Sequence, residues 1–133
     1  MSKLETPMTR HYWQTVGGTL VEEFQLVKRT ATAGPRYADA VILPNGETRI
    51  ARGVDVTLEG EDVIVVQTKA SRLGMYLMGQ ALFSGELIRR FNPKSIRSVL
   101  ICSADDSVLH PLLEPFNIEI VVIPPNSIVA GPE

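Results

Sequence analysis

The stretch Val63-Ile64-Val65-Val66-Gln67-Thr68-Lys69 places two polar side chains near the end of an apolar run. A short run this rich in β-branched residues predicts a strand that is buried on both faces. Residues two apart in a strand point the same way, so we expect Gln67 and Lys69 to share one face. Because burying an ammonium group without a partner is costly, the pair predicts a polar site that the protein maintains for a function.

Length and composition are those of a single globular domain. The chain has 133 residues, of which 44% are hydrophobic and 21% are charged. A chain of this length buries one substantial core but seldom two, so we expect one domain over 1–133, with a core at about 15–123 and a loose tail at 124–133. No apolar run approaches the roughly 20 residues of a membrane span, and no membrane contact is expected.

Cysteine content and charge narrow the possible partners. The single cysteine, Cys102, excludes an internal disulfide and a zinc knuckle, which favours a reducing, cytoplasmic location. The net charge of −2 provides no global basic field for holding DNA. Any contact with nucleic acid must therefore be local.

Apolar periodicity, turn residues and helix-ending signals together divide the chain into elements. We predict a helix at 15–29, strands at 36–43 and 62–69, a long helix at 71–91, a strand at 96–102, a short helix at 105–114 and a strand at 118–123. A long helical connection makes strands 62–69 and 96–102 parallel neighbours, and an antiparallel hairpin precedes them. The order predicts an α/β sandwich in which helices flank a mixed central sheet.

The long predicted helix has two notable faces. Gln80 falls on its core stripe, near the end of the strand that carries Gln67 and Lys69, and we expect it to approach the same site. The other side, with Met75 and Met78, is also apolar. A second copy of the chain packing on helix 72–91, giving a homodimer, would cover that side.

Four short motifs of this chain together resemble the PD-(D/E)XK nuclease superfamily. Arg36-Tyr-Ala-Asp39 looks like the aspartate of one core strand, and Gln67-Thr-Lys69 looks like the acidic residue, any residue and lysine of the next. Gly18-Thr-Leu-Val-Glu22 is similar to the Gly-Thr-x-x-Glu segment of archaeal Holliday-junction resolvases, and Gln80 lies where many members place a glutamine. The resemblance covers about residues 15–102 and implies a restriction-endonuclease-like three-layer sandwich.

The resemblance implies a Mg²⁺-dependent or Mn²⁺-dependent nuclease acting on DNA. Phosphodiester hydrolysis by such a site needs oxygen ligands around a hard cation. Asp39 would be the main metal ligand, with the amide oxygen of Gln67 and the carboxylate of Glu22 assisting. Lys69 would orient water or stabilise the transition state, and Gln80 would contact water or the phosphate backbone.

Several alternatives remain open from the sequence. Asp55 is a rival to Asp39, since each follows an arginine by three residues, and Asp39 is preferred because its strand is more apolar. Glu23 is a rival to Glu22 and lies nearer the apolar stripe of the predicted helix. Gln67 replaces the usual acid and removes a negative charge from the metal site. A catalytically inactive module that binds nucleic acid or a protein partner is therefore the competing hypothesis.

Overall fold

A computed structural model describes residues 2–124 as a six-stranded mixed sheet between two main helices. The helices are α1 (Glu5–Val16) and α2 (Met75–Ile88), and the strands are β1 (Thr19–Val27), β2 (Arg36–Leu43), β3 (Arg49–Ala51), β4 (Asp62–Arg72), β5 (Ser95–Ala104) and β6 (Ile118–Val122). Short 3₁₀ helices occupy Gly53–Asp55, Arg89–Phe91 and His110–Phe116. The predicted tail lies outside the described residues from position 125 onwards.

The strand order in the sheet is β3-β1-β2-β4-β5-β6. Strands β1, β2 and β4 form an antiparallel meander, and β4, β5 and β6 are parallel neighbours. Helix α2 makes the crossover from β4 to β5, as a parallel connection requires. The predicted α/β class with a mixed central sheet is confirmed, as are the parallel pairing of β4 with β5 and the antiparallel pairing before it.

The predicted helix at 15–29 is wrong, because Thr19–Val27 forms strand β1. The first helix lies earlier, at Glu5–Val16, and ends at Gly17 and Gly18, both of which have positive φ. A side chain at position 18 would collide with the Leu43 carbonyl, so this tight junction between α1 and β1 requires glycine. Glu22, expected on a helix, is therefore a strand residue.

Later boundaries shift because β4 is longer than predicted. It continues to Arg72, so Ser71 does not cap the following helix, and Gly74 occupies the N-cap position. Helix α2 stops at Ile88 and passes into 3₁₀ geometry over Arg89–Phe91. The segment predicted as a helix at 105–114 is a 3₁₀ helix at His110–Phe116, which contains two prolines that prevent a regular α-helix.

Both faces of the sheet are covered. On one face, Met8 and Tyr12 of α1 pack on a cluster that includes Ile64 and Val66 of β4, so the core begins before the predicted residue 15. On the other face, Ile88 of α2 packs with alternate residues of the same strands. Within residues 2–124 no helix is long and apolar enough to cross a membrane.

Candidate functional site

The candidate site lies where β2 and β4 stop pairing with each other. Their ladder ends at Ala40 and Val66, and beyond that point side chains take the place of backbone partners. The carboxylate of Asp39 accepts a hydrogen bond from the Thr68 backbone N–H at 2.8 Å, through Oδ2. A second hydrogen bond runs from β2 to β4, because Oε1 of Gln67 accepts a hydrogen bond from the Asp39 backbone N–H at 3.4 Å. The two predicted residues therefore meet in the gap between the strands.

Gln67 is held at both ends of its amide. Its side chain is only 3% exposed, and Nε2 donates a hydrogen bond to Oγ of Ser84 on α2. Gln80, the glutamine expected to face the sheet, is exposed instead, and the buried face of α2 contains Leu77, Ala81 and Ser84. The expectation that Gln80 faces the sheet is wrong, because Gln80 lies outside the buried stripe that contains Ala81. Ser84, which was not predicted as a site residue, is the residue of α2 that contacts Gln67.

A backbone kink aims Asp39 into the gap. Val21 and Phe24 of β1 face the same core cluster although they are three residues apart, and Ala38 and Val41 of β2 do the same. Regular strands bring residues two apart to one face, so both strands shift by one residue at the level of Glu23 and Asp39. Glu23 has φ 52°, the left-handed conformation that is uncommon outside glycine. The pairing of β1 with β2 keeps its register through this level, so the two strands are kinked together and neither carries an extra residue there.

A second carboxylate, Glu5, was not predicted from the sequence. It lies in the first turn of α1, and its Oε2 accepts a hydrogen bond from the Ala70 N–H at 3.3 Å and lies 4.0 Å from Nζ of Lys69. Helix α1 thus presents an acid to the end of β4. The available signal was Pro7 with the acidic Glu5 two positions before it, a combination that is typical of the first turn of a helix.

The two carboxylates have opposite electrostatic environments. Burial raises the pKa of Asp39, the nearby charges of Glu5 and Glu23 raise it further, and the Thr68 amide only partly opposes them. Burial also raises the pKa of Glu5, but hydrogen bonds from Ser2 and Ala70, with the Lys69 charge, outweigh it and leave that pKa lowered. The site therefore combines a readily ionised acid with one that is destabilised when charged.

Lys69 is near the site but not inside it. Its side chain is 57% exposed, and its amine lies beside the carboxylate of Glu5 and not that of Asp39. Exposed ion pairs contribute roughly 0–1 kcal/mol, so this contact does not fix the amine in one position. Gln67 and Lys69 were expected to enter one polar site, but Gln67 is buried against Ser84 of α2, whereas Lys69 is exposed beside Glu5 of α1.

The remaining candidates lie elsewhere or are neutralised. Asp55 follows β3 at the far side of the sheet and pairs with Arg52 at 2.9 Å, so it does not join Gln67. Glu22 pairs with Arg10 of α1 at 2.7 Å. Of the two adjacent glutamates, Glu23 and not Glu22 raises the pKa of Asp39, so Glu23 is the one electrostatically coupled to the gap.

The donor atoms at the gap are of the kind that Mg²⁺ prefers, but they are few. Carboxylate oxygens come from Asp39 and Glu5 and an amide oxygen from Gln67, and hard cations take oxygen ligands and retain water. Among residues 2–124 there is no group of three or more His, Cys, Asp or Glu side chains arranged to hold a metal ion. Comparisons with protein-family models, curated proteins and solved structures find no match to this chain.

Proposed function

We propose that this protein is a Mg²⁺-dependent phosphodiesterase that cleaves DNA, built on a restriction-endonuclease-like fold. The observation that carries the proposal is the buried Asp39 carboxylate in the gap between two parting strands, against Gln67 of the neighbouring strand. A mixed central sheet with helices on both faces is compatible with that fold. The short β3 is an addition at the sheet edge.

The donor set supports a bound divalent cation. Asp39 is held in a partly buried position with its pKa raised by burial and by two neighbouring carboxylates. A cation would stabilise the ionised form of this group, because opposite charge favours the charged state. Asp39 and Glu5 are the proposed carboxylate ligands, with Gln67 contributing an amide oxygen. Glu5 replaces Glu22 in this role because Arg10 already neutralises Glu22.

A divalent cation at this position would supply polarisation of the phosphate and acidification of water. The protein groups have separate roles. Gln67 fixes the backbone of Asp39 through its amide oxygen, so the carboxylate is oriented before substrate arrives. Lys69 is mobile enough to leave Glu5 and contact a phosphate oxygen, where its charge stabilises the negative charge that develops during hydrolysis.

A second candidate function is a nuclease-like module that binds nucleic acid without cleaving it. Two observations favour it: Gln67 already uses both ends of its amide within the protein, and the Lys69 amine is directed to Glu5. A site with an amide in place of an acid also attracts a cation less strongly.

Metal binding and cleavage discriminate between the two functions. We expect Mg²⁺ or Mn²⁺ to raise the melting temperature of the wild type, since a ligand that binds only the folded state stabilises it. We expect cleavage of linear or branched DNA to disappear in Asp39→Asn and to fall about 10²-fold or more in Lys69→Ala. Asp55→Asn, a carboxylate change at the far side of the sheet, is the matched control with unchanged activity. Metal-independent DNA binding without cleavage would favour the binding module.

A further inference from the structure

A cleft of about 510 Å³ lies between the β1–β2 hairpin and the C-terminal end of α2. The hairpin side contributes Lys28 and Thr30, and the helix side contributes Arg90 and Phe91. Its floor is the end of β1, at Leu26 and Val27. The cleft is thus an open groove between two separate elements and not an interior packing defect.

The charge of the cleft is positive. Lys28 and Arg90 line it and are exposed, and within residues 2–124 neither forms an ion pair with an acid. Arg29 and Arg36 are exposed on the same hairpin. In a chain with a net charge of −2, this is a local concentration of cationic groups at one end of the sheet. Such a groove attracts anions over a distance of about 10 Å at 0.1 M salt.

The apolar wall of the cleft is rigid. Phe91 packs edge-to-face on Phe24 of β1, with ring centroids 5.1 Å apart at 68°. Leu26 is buried in the same core cluster and fixes the β1 side of the groove. A polyanion with flat or apolar parts, such as a nucleic-acid strand with its sugars and bases, fits cationic rims above an aromatic wall.

The cleft lies beside the candidate site along the same strands. Val27 pairs with Arg36 at the base of the hairpin, and Asp39 follows Arg36 by three residues on β2. Three strand residues span about 10 Å. The base of the hairpin is therefore about 10 Å from Asp39 along β2, close enough for one nucleic-acid strand to contact both.

We propose that this cleft binds the phosphate backbone of the substrate strand about 10 Å from the phosphate at Asp39. The proposal rests on the proposed DNA-cleaving function and adds the surface by which the acidic protein holds its substrate. Lys28 and Arg90 contact phosphates from the two rims, and Phe91 packs against a sugar or base. These contacts make binding dependent on salt and largely independent of base sequence.

The test compares two double variants with the same change in charge. Lys28→Gln with Arg90→Gln removes the cationic rims, and Arg49→Gln with Lys94→Gln removes two exposed cations at the other end of the sheet. Binding of a fluorescent single-stranded oligonucleotide and its duplex is measured by anisotropy in EDTA, over a series of salt concentrations. The midpoint of urea unfolding is measured for every variant.

Each lost phosphate contact removes about 0.7 from the slope of log affinity against log salt. Because the cleft variant loses two such contacts, we expect it to bind the single strand about 25-fold more weakly than wild type at about 0.1 M salt. The salt slope itself should fall by about 1.4. The control variant should bind as wild type does. Since all four positions are exposed, unfolding midpoints should change little.

The remaining outcomes separate the two proposals. If the wild type binds and cleaves DNA while both double variants match it, the cleft proposal is overturned and the cleavage function stands. If the cleft variant weakens binding and Asp39→Asn abolishes cleavage while retaining affinity, both are supported. If the wild type neither binds nor cleaves DNA at low salt, both are wrong. Should the double variant unfold, Lys28→Gln alone is expected to weaken binding about fivefold, and an unchanged affinity there overturns the cleft proposal.

Discussion

Replacing Gln67 by leucine tests whether a side-chain network, and not packing alone, holds the gap between β2 and β4. Leucine has a similar volume and retains the buried apolar contacts. It removes the acceptor for the Asp39 N–H and the donor to Ser84 Oγ. Each buried polar group left without a partner lowers the free energy of unfolding by about 1–3 kcal/mol, and the additional apolar surface that leucine buries offsets part of this loss. We expect a net loss of about 2–3 kcal/mol in the free energy of unfolding.

The second arm of the test is Ser84→Ala in both backgrounds. In the wild type, this change leaves the Gln67 amide N–H unpaired inside the protein and should cost about 1–3 kcal/mol. In the Gln67→Leu protein, it removes a hydroxyl that has already lost its partner, so its cost should be near zero. The two changes are therefore expected to be non-additive by about 1–3 kcal/mol.

Urea unfolding at pH 7 in EDTA measures all four free energies, with equal m-values as the condition for comparing them. Gln25→Leu is the matched control, because the Gln25 side chain is exposed and donates a hydrogen bond to the exposed Tyr37 hydroxyl. It should change stability by no more than about 0.5 kcal/mol. If Gln67→Leu is equally mild, or if its effect adds to that of Ser84→Ala within about 0.5 kcal/mol, the network does not hold the gap.

Two further predictions concern charge at the gap between β2 and β4, and a third concerns two glycines of α2. Because the pKa of folded Asp39 is raised above its ordinary value of 3.8, the folded state holds more protons, and stability should fall as pH rises above that value. Asp39→Asn should lack this fall and be more stable than wild type at pH 7 without metal, and equal pH slopes in urea unfolding would contradict the assignment. Gln67→Glu should destabilise the metal-free protein by placing a second charge beside Asp39, and should enlarge the rise in melting temperature caused by Mg²⁺; an unchanged Mg²⁺ effect counts against a cation at the gap. In α2, Gly79→Ala should stabilise the isolated chain by up to about 1 kcal/mol because open space surrounds the position, whereas Gly85→Ala should destabilise it because the new methyl group would meet Ser98 Oγ. A loss of self-association in Gly79→Ala, measured by sedimentation, would indicate a second copy packed on that face.

The central strands could be predicted from sequence because both of their faces are buried. The apolar runs at 36–43 and 63–66 leave no other consistent interpretation, and the helix between strands 62–69 and 96–102 determines their parallel pairing. The sequence resemblance implied that Asp39 and Gln67 lie together, and the two residues are in contact.

The first strand was mistaken for a helix for a physical reason. The kink at Glu23 shifts the inward face of β1 by one residue, so its buried apolar positions include Val21 and Phe24, three apart. Leu20, Val21 and Phe24 therefore have the spacing of a helical stripe. Periodicity cannot distinguish a kinked strand from a helix over so short a segment.

The site was incompletely predicted as a consequence of that error. With the first helix assigned to 15–29, its acidic residue was taken to be Glu22, and Glu5 was not considered. Gln80 was assigned to the core stripe of the predicted helix, and Ser84 was not considered as a site residue. Ala81 is buried and Gln80 is exposed, so Gln80 does not face the sheet. This difference depends on how α2 is rotated about its axis against the sheet.

The hydrogen bond from the Thr68 amide to the Asp39 carboxylate makes this amide a spectroscopic reporter. An amide proton that donates to a carboxylate changes its chemical shift and its exchange with solvent when the carboxylate gains a proton or another positive partner. Titrating an isotopically labelled sample and following that one resonance would record the ionisation of Asp39 directly. The state of the gap can thus be monitored without a substrate, a cleavage assay or any mutation.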